Sequence, residues 1–190
     1  MVVGVTGGYC SGKSIVCSII EESGFVHIDV DRIGHDVLDD KKEEVVRSFG
    51  KKILLGGKID RGALGDLVFR DRNKRRMLES ILHPLMIERV KRIVGKEHDV
   101  VINAALLVEM GLHLLCDFVL GVQVDEEIAL QRGMKRDGLS RDEAKLRIGS
   151  QIPLKEKLQY VDKIIENNTT VGEFRKRLRQ TVKGIKHGRR

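Results

Sequence analysis

The sequence predicts a three-layer α/β/α fold with a parallel five-stranded sheet. Short apolar segments recur at 2–6, 25–29, 99–103, 117–124 and 162–165, and segments with helical periodicity or turn residues separate them. The first apolar segment leads directly into a glycine-rich loop and then into a helical pattern. Strands that alternate with helices usually run parallel, so we expect ligands to bind beyond their carboxyl ends.

The loop after the first strand is a candidate phosphate-binding loop (P-loop). Residues 7–14 read GGYCSGKS and satisfy the pattern G-x-x-x-x-G-K-[ST]. In such a loop the backbone N–H groups face an anion, Lys13 reaches the terminal phosphates and the Ser14 hydroxyl ligates Mg²⁺. The motif predicts binding of a nucleoside triphosphate and Mg²⁺, since a chance glycine turn would need neither the strand before it nor the helix after it. The residues expected to bind the nucleotide are Gly8, Tyr9, Cys10, Ser11, Gly12, Lys13, Ser14 and Ile15.

The length of 190 residues favours a single domain, 1–190, with a helical insertion at about 51–96 and a lid at about 132–150. No apolar run approaches the roughly 20 residues needed to cross a bilayer, and the start lacks a signal-peptide pattern. We therefore expect a cytoplasmic protein with no membrane partner. The three cysteines do not have the spacing of metal ligands, so we expect neither a disulfide framework nor a zinc site.

The formal net charge of +7 comes from the C-terminal segment. Residues 173–190 hold eight Lys or Arg against one Glu, so the rest of the chain is charge-balanced. A basic terminal helix is more often a solvated face than a nucleic-acid site, and aromatic residues, at 4%, offer few stacking platforms. Nucleic acid is therefore not an expected partner, and the oligomeric state stays open.

The second strand candidate ends in two carboxylates, Asp29 and Asp31. Period-two alternation predicts that both lie on one side as the strand runs out into the cleft. Phosphoryl transfer uses a carboxylate to orient the acceptor hydroxyl, so Asp31 is the candidate general base. The alternative is that Asp31 only caps the helix predicted at 31–39.

The long interval before the third strand predicts further helices near 41–49, 60–71 and 73–95, with a glycine turn at 51–58 and an interruption at Pro84. His83 beside that proline is more often a structural hydrogen-bonding residue than a substrate ligand, and both roles stay open. The third strand ends in Asn103, where many P-loop enzymes carry an Asp for Mg²⁺. The metal carboxylate must then be Asp29, Asp31 or Glu109.

The segment from Gln131 to Gln151 predicts a mobile cationic lid. Its cations are Arg132, Lys135, Arg136, Arg141, Lys145 and Arg147. A lid arginine would stabilise charge on the transferring phosphoryl group and help to exclude water. The alternative for each is a salt-bridged surface helix. Arg136, beside the glycine turn, is the first choice for the lid arginine that stabilises the transferring group.

The remaining helices are predicted near 105–112, 126–134, 140–150, 154–160 and 170–186.

Several motifs, taken together and in order, resemble those of the dephospho-CoA kinase family. They are GVTGGYCSGKS, IDVDRIG, ILHPLM, ALLVEMGL, QRGMKR and RIGSQ, followed by YVDKIIENN. The resemblance covers nearly the whole chain. It implies a P-loop kinase of the nucleoside-monophosphate-kinase-like class, which transfers the γ-phosphate of ATP to the ribose 3′-hydroxyl of dephospho-CoA. That reaction yields coenzyme A and is the last step of its biosynthesis.

The resemblance also implies roles for particular residues. Asp31 would be the general base, Lys13 and Ser14 would hold phosphate and Mg²⁺, and Arg136 would be the lid arginine. The acceptor would contact His83 on the helical insertion and the stretch from Leu106 to Glu109.

Four residues depart from the family pattern. Cys10 replaces a glycine, so either the loop has an unusual geometry or a side chain is strained there. The other departures are Ile15, Ala105 and Thr169.

Two other functions stay open at this point. The first is another small-molecule kinase on the same fold, acting on a nucleoside monophosphate or a small polyol, since Asp31 and the lid would serve it equally. The second is a nucleotide-dependent switch or nucleic-acid-binding ATPase that uses the basic tail. Asn103 in place of a hydrolytic acid, and the charge-balanced body, argue against the second.

Overall fold

The computed structural model describes residues 1–187, and of residues 183–187 the backbone only. The chain divides into two compact units. The first consists of Met1–Asp29 together with the chain from Val94 onward, and the second is Val30–Ile93. No helix in this described part is both long enough and apolar enough to cross a bilayer.

The first unit is built on a parallel five-stranded sheet. In chain order its strands are β1 (Val2–Gly7), β2 (Val26–Asp29), β5 (Val100–Asn103), β6 (Phe118–Gln123) and β7 (Lys163–Glu166). Their order across the sheet is β2-β5-β1-β6-β7, and every pairing is parallel. The predicted sheet is confirmed, and each strand end lies within one residue of its predicted position.

Helices cover one face of this sheet because alternate residues of its central strand point there. Val3 and Val5 of β1 pack with apolar residues of α1 (Lys13–Glu21) and α9 (Val171–His187) in one buried cluster. Gly4, between them, faces the opposite side, where an added Cβ would lie 2.8 Å from both Cys116 Sγ and Leu107 Cδ2. The segment around these two residues therefore covers the second face, which completes three layers.

The segment after β5 is not the helix predicted at 105–112. In a helix the Ala105 carbonyl would accept a hydrogen bond from the N–H of Glu109. It instead accepts from Thr6 Oγ1 at 3.3 Å and from Lys157 Nζ at 2.9 Å. The chain forms successive turns, closed at Gly111 in the left-handed region, and then a short 3₁₀ helix at Leu112–Leu115.

The remaining helices of the first unit follow the sequence pattern closely. They are α6 (Glu126–Asp137), α7 (Arg141–Gly149) and α8 (Leu154–Lys157), with a 3₁₀ turn at Leu158–Tyr160. Ser140 caps α7 by accepting from the N–H of Glu143, whose carboxylate accepts from the Ser140 N–H in return. Of the basic C-terminal segment, residues 188–190 lie outside the described residues.

The second unit is mainly helical. It contains α2 (Val30–Asp40), α3 (Lys42–Phe49), a hairpin of β3 (Leu54–Leu55) and β4 (Lys58–Ile59), α4 (Arg61–Arg70) and α5 (Arg72–Val94). The interruption predicted at Pro84 is wrong, because α5 continues through it. Leu82, Met86 and Val90, on both sides of the proline, are buried along one face, and this packing offsets the single backbone hydrogen bond that proline cannot make.

Candidate nucleotide-binding site

The P-loop joins the central strand β1 to α1. At two of its glycines the backbone passes very close to other parts of the chain. A Cβ added at Gly7 would collide with the carbonyl oxygen of Val122 on the neighbouring strand. A Cβ at Gly12, which has φ 98°, would collide with the Asn167 side-chain amide. Only glycine fits at either position, so these two residues let the loop turn tightly at the carboxyl end of the sheet.

Of the two alternatives raised by a side chain at position 10, the structure shows a strained backbone at Cys10. It has φ 53°, so the loop keeps a left-handed backbone there although the residue carries a side chain. For an L-residue this conformation costs roughly 1–2 kcal/mol. Burial raises the pKa of the half-buried Cys10 thiol, so the group is neutral at physiological pH.

Lys13 and Ser14 open α1 on the loop side. The Lys13 ammonium group donates hydrogen bonds to the carbonyl oxygens of Gly7 at 3.1 Å and Gly8 at 3.0 Å. The Ser14 side chain is exposed and Ile15 is half-buried. The residues buried further along α1 are Val16, Cys17, Ile19 and Ile20. The positive end of the helix thus lies beside a lysine and an exposed hydroxyl, a set of groups suited to binding phosphate.

Asn167, the residue that follows β7, contacts the P-loop. Its side-chain amide donates to the Ser11 carbonyl oxygen at 2.7 Å, and its backbone N–H donates to the Gln123 carbonyl oxygen at 2.8 Å. Asn167 is 2% exposed, and Ser11 is fully buried. The late motif of the sequence pointed to this region, but the contact with the P-loop appears only in the tertiary structure.

Arg136 lies beside the P-loop in a cluster with Tyr9 and Asp137. Its guanidinium donates to Asp137 at 2.7 Å through Nε and at 3.0 Å through Nη2, and Tyr9 donates its hydroxyl to the same carboxylate. The hydrogen bonds from Arg136 are the main cause that lowers the pKa of Asp137 to about 2. Burial and the hydrogen bond to Asp137 raise the pKa of Tyr9. Sequence reasoning singled out Arg136 and missed Asp137, although it is the next residue.

Three other arginines of the predicted lid also have polar partners. Arg141 forms a two-point ion pair with Glu127, at 2.8 and 2.6 Å, which is the surface salt bridge considered as its alternative. Arg132 donates to the Thr169 carbonyl oxygen at 3.3 Å. Arg147 lies 3.7 Å from Asp137. Arg136 and Arg147 therefore share one carboxylate near the loop.

Glu109 forms an ion pair with a buried lysine. Lys157 Nζ lies 2.7 Å from Glu109 Oε1, and the Lys157 side chain is 2% exposed. The same ammonium donates to the Ala105 carbonyl oxygen, so it fixes both ends of the turns in which half-buried Leu106 lies. Lys157 was not predicted to be buried, because a lysine in a short charged helix is usually a surface residue.

Asp31 and His83 lie in the second unit. The strand β2 ends at Asp29, and Asp31 is in the first turn of α2, so the expected period-two alternation stops at Asp29. An acidic residue there complements the positive helix end. His83 is half-buried on α5, next to the buried Leu82.

The oxygen donors near the P-loop are of the kind that bind Mg²⁺ in nucleotide sites. Among the described residues, no cluster of three or more His, Cys, Asp or Glu side chains could hold a metal ion. Mg²⁺ beside a nucleotide needs only one or two protein oxygens, with phosphates and water completing its shell. The Ser14 hydroxyl is one such oxygen. Asp29, at the carboxyl end of β2 in the same sheet, carries a carboxylate of the kind that could supply a second.

Comparisons with known proteins agree on one family. The family model described as dephospho-CoA kinase matches residues 1–173. A dephospho-CoA kinase from Carboxydothermus hydrogenoformans is 40% identical over 186 residues, which cover 93% of this chain and 90% of that protein. One from Fusobacterium nucleatum is 37% identical, with 97% and 98% covered.

Solved structures show the same relationship. A dephospho-CoA kinase from Campylobacter jejuni is 31% identical, with a TM-score of 0.69 and coverage of 100% of this chain and 98% of that chain. A shikimate kinase from Acinetobacter baumannii, 16% identical over 99% of this chain and 94% of its own, has a TM-score of 0.54 and shares the fold alone. The chain described here belongs to the dephospho-CoA kinase family.

Proposed function

We propose that this protein transfers the γ-phosphate of ATP to the ribose 3′-hydroxyl of dephospho-CoA and so forms coenzyme A. The observation that carries the proposal is a P-loop with Lys13 and Arg136 beside it, in a chain of this family. A relative named dephospho-CoA kinase is 40% identical over 90% of its own length. We also propose that the protein works in the cytoplasm.

In this proposal the P-loop binds the phosphates of ATP. The backbone N–H groups of the loop and the Lys13 ammonium face the phosphate oxygens, and Arg136 stabilises the charge that builds up on the transferring group. Ser14 and Asp29 would hold Mg²⁺, which neutralises phosphate charge when bound. Glu109 is the weaker candidate for that role, because its carboxylate is already paired with Lys157.

The acceptor hydroxyl needs a base, and Asp31 is the residue that we assign to it. A carboxylate accepts the hydroxyl proton as the new P–O bond forms, while ADP leaves with the electrons of the broken P–O bond. We assign contacts with dephospho-CoA to His83 and to the turns that contain Leu106 and Glu109. Glu109 would act there with its position set by Lys157.

The test is to incubate the protein with ATP, Mg²⁺ and dephospho-CoA and to follow ADP and CoA. Asp31→Asn should lower kcat by a factor of about 10² to 10⁴, the usual contribution of a general base. Asp36→Asn, which changes another exposed aspartate of α2, is the matched control and should leave kcat unchanged. Formation of ADP only with a nucleoside monophosphate or a small polyol would replace the proposed acceptor.

A further inference from the structure

Tyr9 connects the tip of the P-loop to α6. Its ring covers Gly133, where an added Cβ would collide with ring atoms, and the side chain is 9% exposed. Its hydroxyl donates to Asp137, one turn further along the same face of the helix. Glycine is an unfavourable residue in the middle of a helix, and here the close approach of the ring requires it. The loop is thus fastened to the end of α6 by a side chain.

Asp137 and the Tyr9 ring together orient the Arg136 guanidinium. The carboxylate accepts from Nε at 2.7 Å and from Nη2 at 3.0 Å, and this two-point contact fixes the plane of the group. The guanidinium carbon lies 5.2 Å from the centre of the Tyr9 ring. The arginine is therefore held beside the loop by contacts from two directions.

These contacts leave Arg136 able to bind an anion. A guanidinium has five N–H donors, and Asp137 occupies two of them. Asp137 also lies 3.7 Å from Arg147, so two guanidinium groups lie near one carboxylate. The other three N–H donors of Arg136 have no hydrogen-bond partner among the described residues and could bind a phosphate oxygen at the loop.

We propose that Asp137 and Tyr9 are positioning residues that hold Arg136 at the P-loop, ready for phosphoryl transfer. The inference rests on the proposed function. Arginine loses the freedom of several rotatable bonds when it is fixed, so an arginine that is already oriented avoids that cost in the transition state. Asp137 and Tyr9 act through Arg136 and need no contact with the transferring group.

The first test separates kcat from KM. Asp137→Asn should lower kcat by about tenfold or more and change the KM for dephospho-CoA by less than about threefold, because the lost orientation matters in the transition state. Tyr9→Phe, which keeps the ring and removes the hydroxyl, should have a smaller effect in the same direction. Glu127→Gln is the control, since it breaks an equally close two-point pair with Arg141 at the other end of α6. It should leave kcat unchanged.

The second test asks whether Asp137 acts through Arg136. In an Arg136→Ala background, the further change Asp137→Asn should lower kcat by less than about twofold, since the group to be positioned is gone. A full, additive loss in the double variant would overturn the inference and indicate a general structural role.

A third measurement does not depend on activity. The Nε–H of Arg136 should give an NMR signal that exchanges slowly with water, and Asp137→Asn should make that exchange fast. If no CoA forms while the signal behaves in this way, the proposed function fails and the positioning contact stands. If CoA forms and Asp137→Asn changes neither the signal nor kcat, the positioning inference alone fails.

Discussion

Cys10 is the non-glycine residue that adopts a positive φ in the described part of the chain. The P-loop geometry depends on hydrogen bonds around it, such as that from the Ser11 N–H to the Gly8 carbonyl at 3.3 Å. The tertiary structure therefore imposes a conformation that the residue itself disfavours. Strain of this kind belongs to one residue and can be removed by one substitution.

Cys10→Gly should stabilise the protein. Relief of the left-handed conformation is worth roughly 1–2 kcal/mol, and the greater freedom of unfolded glycine offsets roughly 0.5–1 kcal/mol of it. We expect a net gain of about 0.5–1 kcal/mol in the free energy of unfolding, measured by urea denaturation. Cys10→Ala removes the thiol and keeps the Cβ, so it should bring no gain. A Gly variant less stable than the Ala variant would contradict this account.

Asp137 should affect stability in a pH-dependent way. Its pKa in the folded protein is about 2, below the ordinary value near 3.9 for an aspartate. A carboxyl with a lowered pKa stabilises the fold above its unfolded pKa, and this contribution is lost as pH falls toward the folded pKa.

The measurement compares the wild type with Asp137→Asn. The difference in their free energies of unfolding should be constant between about pH 5 and 8 and should shrink below about pH 4. Leu130→Ala removes only buried apolar volume, so its effect should not vary in this way. A difference for Asp137→Asn that is unchanged at pH 3 would show that the pairing with Arg136 does not stabilise the fold.

At the scale of elements, one buried ion pair holds the irregular segment after β5. Lys157 of α8 lies against Glu109 and the Ala105 carbonyl, and its side chain is 2% exposed. The helical pattern in 105–112 predicted a helix, but these side-chain contacts hold the segment in turns instead. A local pattern cannot reveal the contacts, because Lys157 lies 52 residues away from Ala105 in the chain.

Lys157→Met should be strongly destabilising. It leaves the largely buried Glu109 carboxylate without its partner, and loss of one member of a buried pair typically costs about 3–5 kcal/mol. Adding Glu109→Leu should recover part of that loss, because the double variant buries no unpaired charge. Chemical denaturation of the two single variants and the double variant gives the coupling. An additive double variant would mean that the pair contributes no mutual stabilisation.

Other elements could be read from the sequence with good accuracy. The apolar runs and the glycine motif predicted β1, the P-loop and α1, because a strand, a tight turn and a helix each leave a local pattern. The contact of Tyr9 with Asp137 and Arg136 could not be predicted. Tyr9 and Asp137 are 128 residues apart and meet only through the packing of α6 beside the loop.

For the whole molecule, nucleotide binding and folding should be linked. ATP with Mg²⁺ at about 100 times its Kd should add about 2.7 kcal/mol of stability, which corresponds to a rise of about 5–10 °C in Tm for a chain of this size. Lys13→Ala should remove most of this rise because it deletes a phosphate ligand. Lys42→Ala, at the start of α3, should retain it. An equal rise in the Lys13 variant would place the nucleotide elsewhere.

The sequence by itself determined the parallel sheet, the position of the P-loop and the family. These depend on short-range patterns, since periodicity and glycine spacing are properties of neighbouring residues. Only the tertiary structure decided which side chains hold the site together: Asn167 behind Ser11, Lys157 beside Glu109, and Asp137 on Arg136. The first of these contacts joins residues 156 positions apart, and such contacts form only when the strands and helices have packed.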